Sequence, residues 1–126
     1  MTTQEVANRL IELCREGKYE QAVKELYSPD IVSVEPEGMP DHIVQGLDAI
    51  AKKGERFQDM LEKINSSTIT DPIVAENFFS CGMYMNVVMK GMTQAIDMDE
   101  ICVYTVNNGK IVKEEFFYTP DPQEVQ

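Results

Sequence analysis

The sequence has one histidine, His42, and only three cysteines, Cys14, Cys81 and Cys102. The cysteines are odd in number and far apart. Each sits among apolar neighbours, the pattern of reduced, packed thiols. A metal site of imidazole and thiolate groups needs those residues paired at short spacing. No such pairing exists, so neither a metal nor another cofactor is expected. Basic residues are scarce too: 11 Lys and Arg face 22 Asp and Glu, a formal net charge of −11. A chain of that charge repels phosphate backbones and anionic membrane surfaces, which argues against nucleic-acid and membrane partners. No apolar run approaches the ~18 residues of a spanning helix. Met1 to Glu5 carry neither the basic cluster nor the apolar stretch of a secretory signal. A cytoplasmic location is the expectation.

What is present is an ordinary globular composition, 43% hydrophobic and 26% charged over 126 residues. That length predicts one domain, with a core over about residues 3–118 and a loose tail at 119–126. A chain of this size buries roughly two-thirds of its unfolded surface and needs no disulfide to fold.

Thr2 and Glu5 form a capping box, followed by Val6, Leu10, Leu13 and Cys14 at helical spacing and a stop at Gly17. A helix is predicted over 3–16, and a second over about 19–27 with Ala22, Val23 and Leu26 on one face. Ser28-Pro29-Asp30 ends it. Ile31 to Glu35 reads as a short strand closed by Pro36, and 36–45 as a loop. Leu47, Ile50, Gly54, Phe57, Leu61 and Ile64 form an apolar seam about five turns long, a third helix. Beyond residue 64, β-branched and aromatic residues predict strands at 65–76, 78–90, 93–107 and 110–118. Asn108-Gly109 marks a tight hairpin.

This order implies α+β, with helices on one face of a curved, mainly antiparallel sheet. Phe79, Cys81, Met83, Met85, Val87 and Met89 alternate on one strand face, which must be buried and could line an adaptable apolar cavity. A two-residue hairpin loop sets Val103 opposite Glu114, Ile101 opposite Phe116 and Asp99 opposite Tyr118. The face carrying Val112, Glu114, Phe116, Tyr118 and Asp99 is then favoured as the concave one. A buried Glu114 needs a partner, with His42, Tyr84 or a ligand as candidates.

Glu16-Gly17-Lys18-Tyr19, Leu26-Tyr27-Ser28-Pro29-Asp30 leading into Val34-Glu35-Pro36, Gln45-Gly46-Leu47-Asp48-Ala49-Ile50 and Asn108-Gly109-Lys110-Ile111-Val112 follow one another in a set order. In that order they resemble the nuclear transport factor 2-like superfamily, and within it the SnoaL-like polyketide cyclases and ketosteroid isomerases. The resemblance implies a cone-shaped α+β barrel with three N-terminal helices, and a homodimer through the sheet, for which Tyr84, Asn86, Tyr104 and Phe117 are candidate contacts. It places Glu35, just before Pro36, where the isomerases carry their general base. The isomerase tyrosine of the first helix is replaced by Leu10. The second acid falls at Ile101 by direct count, or at Glu100 if the turn differs by one residue.

Two functions follow as expectations. One is cofactor-independent acid/base chemistry, of isomerase, cyclase or dehydratase type, on a small, largely apolar carbonyl compound. Glu35 would be the base, and His42, Glu100 or Glu114 the second proton-handling group. Phe57, Met83, Met85, Asp99, Phe116 and Tyr118 would line the pocket. The alternative is a non-catalytic ligand-binding or dimerisation module, motivated by Leu10 and the open position of the second acid.

Overall fold

A computed structural model describes residues 1–120; the predicted tail lies largely in 121–126, outside the described residues. Two helices, α1 (Thr3–Arg15) and α2 (Tyr19–Leu26), lead into strand β1 (Tyr27–Val34). A short β2 (Ile43–Gln45) precedes helix α3 (Leu47–Met60), and β3 (Leu61–Ile69), β4 (Ile73–Ala75), β5 (Phe78–Met89), β6 (Ile96–Asn107) and β7 (Lys110–Phe117) follow. The sheet is open, in the order β2-β1-β7-β6-β5-β3, with β4 also paired to β5. Among the described residues only the β1–β7 contact is parallel. The three helices on this curved sheet give the expected α+β cone.

The capping box forms as read: the Glu5 amide donates to Thr2 Oγ1 and the Thr2 amide to the Glu5 carboxylate. Helix α1 buries Val6, Ala7, Leu10, Ile11, Leu13 and Cys14 against the concave face, where Phe79 stacks on Tyr104 at 4.7 Å between ring centres.

Three corrections share one cause, the β-bulge. The third helix ends at Met60 instead of reaching residue 64. Leu61 and Ile64, three apart as in a helix, are strand residues opposite Met89 and Val87. The register shift between Leu61 and Lys63 lets both residues share one face, and a second shift follows between Ile64 and Ser66. Strand β1 starts at Tyr27, and the segment holding Pro29 bulges out between Tyr27 and Val32, where proline's missing donor costs no ladder bond. In the final hairpin, Asn108 and Gly109 take positive φ, and Asn107 pairs with Lys110 and Val106 with Ile111. A bulge then sets Thr105 opposite Lys113, so Glu114 faces Tyr104 and not Val103. Every β6 side chain beyond that point is on the other face from the one expected.

The concave face of β6 therefore carries Glu100, Cys102, Tyr104 and Val106. Tyr104, expected as a dimer contact, is 2% exposed and belongs to the core. Asp99, expected in the pocket, is exposed on the outer face opposite Tyr84. Tyr84 and Asn86 are outer-face residues bonded to Asp97 at 2.6 and 2.9 Å.

Candidate functional site

Glu35 follows directly on β1. Its amide donates to the His42 carbonyl at 2.8 Å, which prolongs the pairing with β2. Pro36 keeps Glu35 extended, so its side chain continues the inward series of Ile31 and Ser33. Its Oε1 accepts from the Tyr118 hydroxyl at 2.7 Å and its Oε2 from Lys53 Nζ at 2.9 Å. Lys53 also donates to Ser33 Oγ at 2.8 Å, and its ammonium lies 5.0 Å from the Phe116 ring centre. Ser33 donates to Glu114 Oε2 at 2.7 Å, and the Tyr27 hydroxyl donates to Glu114 Oε1. A continuous polar chain thus runs Tyr118–Glu35–Lys53–Ser33–Glu114–Tyr27. The Lys53 and Glu35 side chains are only 20% and 14% exposed, so solvent screens this pair less than a surface one.

Glu100 stands on the same concave wall, opposite Met83. Its Oε1 lies 3.6 Å from the Cys102 thiol, which donates to it. Burial and the charge of Glu35 push Glu100 up to about 7, against the opposing pull of Cys102 and Lys53. Burial also raises Glu114, while the donors Tyr27 and Ser33 oppose the rise. The phenol of Tyr27 is held well above its ordinary value by burial and by Glu114, so it stays a donor at neutral pH. Among the described residues every buried side-chain nitrogen or oxygen has a partner.

The partners expected for Glu114 are corrected by this geometry: they are Tyr27 and Ser33, not His42 or Tyr84. The His42 ring reaches Glu35 only at its backbone oxygen, 2.7 Å from Nδ1, so the two side chains form no acid–base pair. Met83, Met85, Phe116 and Tyr118 are half-buried on the concave side. Phe57 lies one helical turn after Lys53 on α3, on the same helix face. A cavity of about 320 Å³, open to solvent, is lined by Val34, Glu35, Pro36, Glu37, Glu115, Phe116, Phe117 and Tyr118 at the ends of β1 and β7; Lys53, Glu100, Met83 and Met85 do not line it. No described group of three or more His, Cys, Asp or Glu residues could hold a metal ion.

A SnoaL-like domain model matches residues 1–118. The chain belongs to the SnoaL-like family. A Mesorhizobium loti protein described as a SnoaL-like polyketide cyclase is 30% identical, superimposes with a TM-score of 0.88, and aligns over 94% of this chain and 100% of its own. An NTF2-like protein of Burkholderia thailandensis has a TM-score of 0.80 at 15% identity, over 93% of this chain and 90% of its own. TerC, crystallised with polyporic acid, has a TM-score of 0.75 at 17% identity, over 93% and 91%. These last two show the fold alone. No curated protein matches the chain significantly. No described helix is long and apolar enough to cross a membrane.

Within this SnoaL-like chain, sequence reasoning missed Tyr27, Ser33 and Lys53. Ser33 was legible, since it alternates with Ile31 and Glu35 at strand period. Lys53 lies three residues after Ile50 and four before Phe57, so it borders the apolar seam of α3. Tyr27 was hidden at the presumed end of the second helix.

Proposed function

We propose that this SnoaL-like chain performs cofactor-independent acid/base chemistry on a small, largely apolar carbonyl compound at the open end of the concave face. The observation that supports it most is the convergence of Glu35, Lys53 and Tyr118 beside Glu100 and an apolar wall. A carboxylate offers about four lone-pair positions, so Glu35 keeps acceptor capacity after bonding Lys53 and Tyr118. Glu35 takes a proton next to the carbonyl. Glu100, poised near neutrality, returns one at a second position. Phe116, Met83 and Met85 supply apolar contact for the substrate. The probe is 3-cyclohexenone, whose conversion to the conjugated enone is followed by ultraviolet absorbance. Glu35→Gln and Glu100→Gln should each lower the rate by about 10²–10⁴-fold. Folded variants as fast as the wild type would refute this reading.

A second reading, a non-catalytic ligand-binding module, is favoured by two observations. Both Glu35 oxygens are already bonded within the protein, and Leu10, where the isomerases carry a tyrosine, lies in the core at 2% exposure. Under it, a ligand that binds Glu35→Gln as tightly as the wild type would show no turnover with either.

The chain is also proposed to form a homodimer through the outer face of the sheet. Phe78, Ile101 and Phe117 are each more than half exposed there, and Ile101 pairs in register with Phe117. Light scattering should give twice the monomer mass, and Ile101→Asp should give the monomer. A monomeric wild type at micromolar concentration would rule the dimer out.

A further inference from the structure

The concave wall holds a second reactive group that the acid/base reading does not use. Cys81 and Cys102 are directly opposite each other in the β5–β6 register. Both side chains point into the cone, 4% and 0% exposed, and both are free thiols. Directly opposed residues of an antiparallel pair have Cα atoms about 4.5–5.5 Å apart. A disulfide spans Cα separations of about 4.4–6.8 Å, so bridging requires side-chain rotation and little backbone movement. The pair has the Phe79–Tyr104 stack on its inner side and half-buried Met83 and Glu100 on the other.

We propose that Cys81 and Cys102 form a thiol oxidation site that closes into an intramolecular disulfide on reaction with a small hydroperoxide. The Cys81 thiol gives up its proton, its thiolate attacks a peroxide oxygen, the O–O bond breaks, and the leaving oxygen takes up one proton, departing as an alcohol, or as water from hydrogen peroxide. Cys81 is then a sulfenic acid. The Cys102 sulfur attacks the Cys81 sulfur, the S–O bond breaks, and the Cys102 proton leaves with the hydroxide as water. Two thiols are oxidised by two electrons and one hydroperoxide is reduced by two. Cys81 is the attacking partner because the neighbouring Cys102 sulfur lowers it against the opposing effect of burial, while that same pairing and burial raise Cys102. Closure also removes the Cys102 proton from Glu100. That donor holds Glu100 down, so the oxidised protein should titrate Glu100 at higher pH than the reduced one.

The test treats the reduced, folded full-length chain with hydrogen peroxide at neutral pH, followed by denaturation in an alkylating agent and peptide mapping without reductant. Free thiols should fall from the three of the sequence to one, Cys14. One peptide pair should join Cys81 to Cys102, lighter by two hydrogens. Cys14→Ser should react unchanged, and Cys102→Ser should leave a Cys81 sulfenic acid that dimedone traps. If a serine variant fails to fold, the wild-type map decides alone. Retention of all three thiols, a bridge to Cys14, or only bridges between chains would overturn the proposal.

Discussion

The two ends of the concave face make an instructive contrast. The same strands run through both, with the same inward alternation. At the closed end α1 and α2 cover the sheet, and Leu10, Leu13, Leu26, Ile31, Phe79 and Ile111 are all at most 2% exposed. At the open end only α3 stands over the sheet, and Ile50 is its one buried residue. The inward positions there hold Glu35, Glu100, Met83 and Phe116, all half-buried. Glu114 and Ser33 sit at the boundary, buried but fully bonded. Alternation thus decides which residues face inward, and helix coverage decides whether an inward position is core or site.

The largest effect belongs at the closed end. Leu10→Ala should cost about 2–5 kcal/mol, because α1 and the sheet cannot both relax into the space left. Phe57→Ala on α3 should cost clearly less, since Phe57 is only half-buried. Urea unfolding of the two variants checks the ordering, and equal losses would break the contrast.

At the boundary, Tyr27→Phe removes a donor from the buried Glu114 and should cost about 1–3 kcal/mol, the penalty of leaving a buried acceptor short of a partner. Because the lost donor had held Glu114 down, its carboxyl should rise further in the variant. Denaturation at pH 5 and pH 8 should therefore show a greater loss at the higher pH.

At the open end the effect is smaller and depends on pH. Glu100 is raised in the folded state, so its carboxyl holds a proton more fully in the folded than in the unfolded chain between about 4.5 and 7. Its contribution is complete below the unfolded value and is lost as pH rises through the folded one. Glu100→Gln should therefore be more stable than the wild type at pH 8, by on the order of 1–2 kcal/mol after allowing for partial exposure. The gap should close at pH 4. A constant difference across that range would remove Glu100 from the set of tuned groups.

Much of this layout is legible in the sequence. The capping box, the α1 stripe, the Asn108-Gly109 hairpin and the inward series of β5 rest on local periodicity and turn chemistry, and the structure keeps them. The bulges were not legible. They add single residues at Leu61–Ser66 and near Val112, where strand twist and pairing with distant partners decide the register. One of them moved Asp99 out of the cone and brought Glu100 in. The polar chain was half legible: Glu35 and Glu114 follow from resemblance and register. Lys53 reads as a solvated helix lysine until α3 is placed over β1, and Tyr27 as a helix end until β1 is extended back to it.

The central claim is that Glu35 and Glu100 share one partly dehydrated wall and act on each other there. A carbon-detected NMR titration of the Glu100 carboxyl tests it most directly. The expected midpoint is about 7, moving down in Glu35→Gln as the neighbouring charge is removed. A midpoint in the ordinary carboxylate range, or one that ignores the Glu35 substitution, would contradict it.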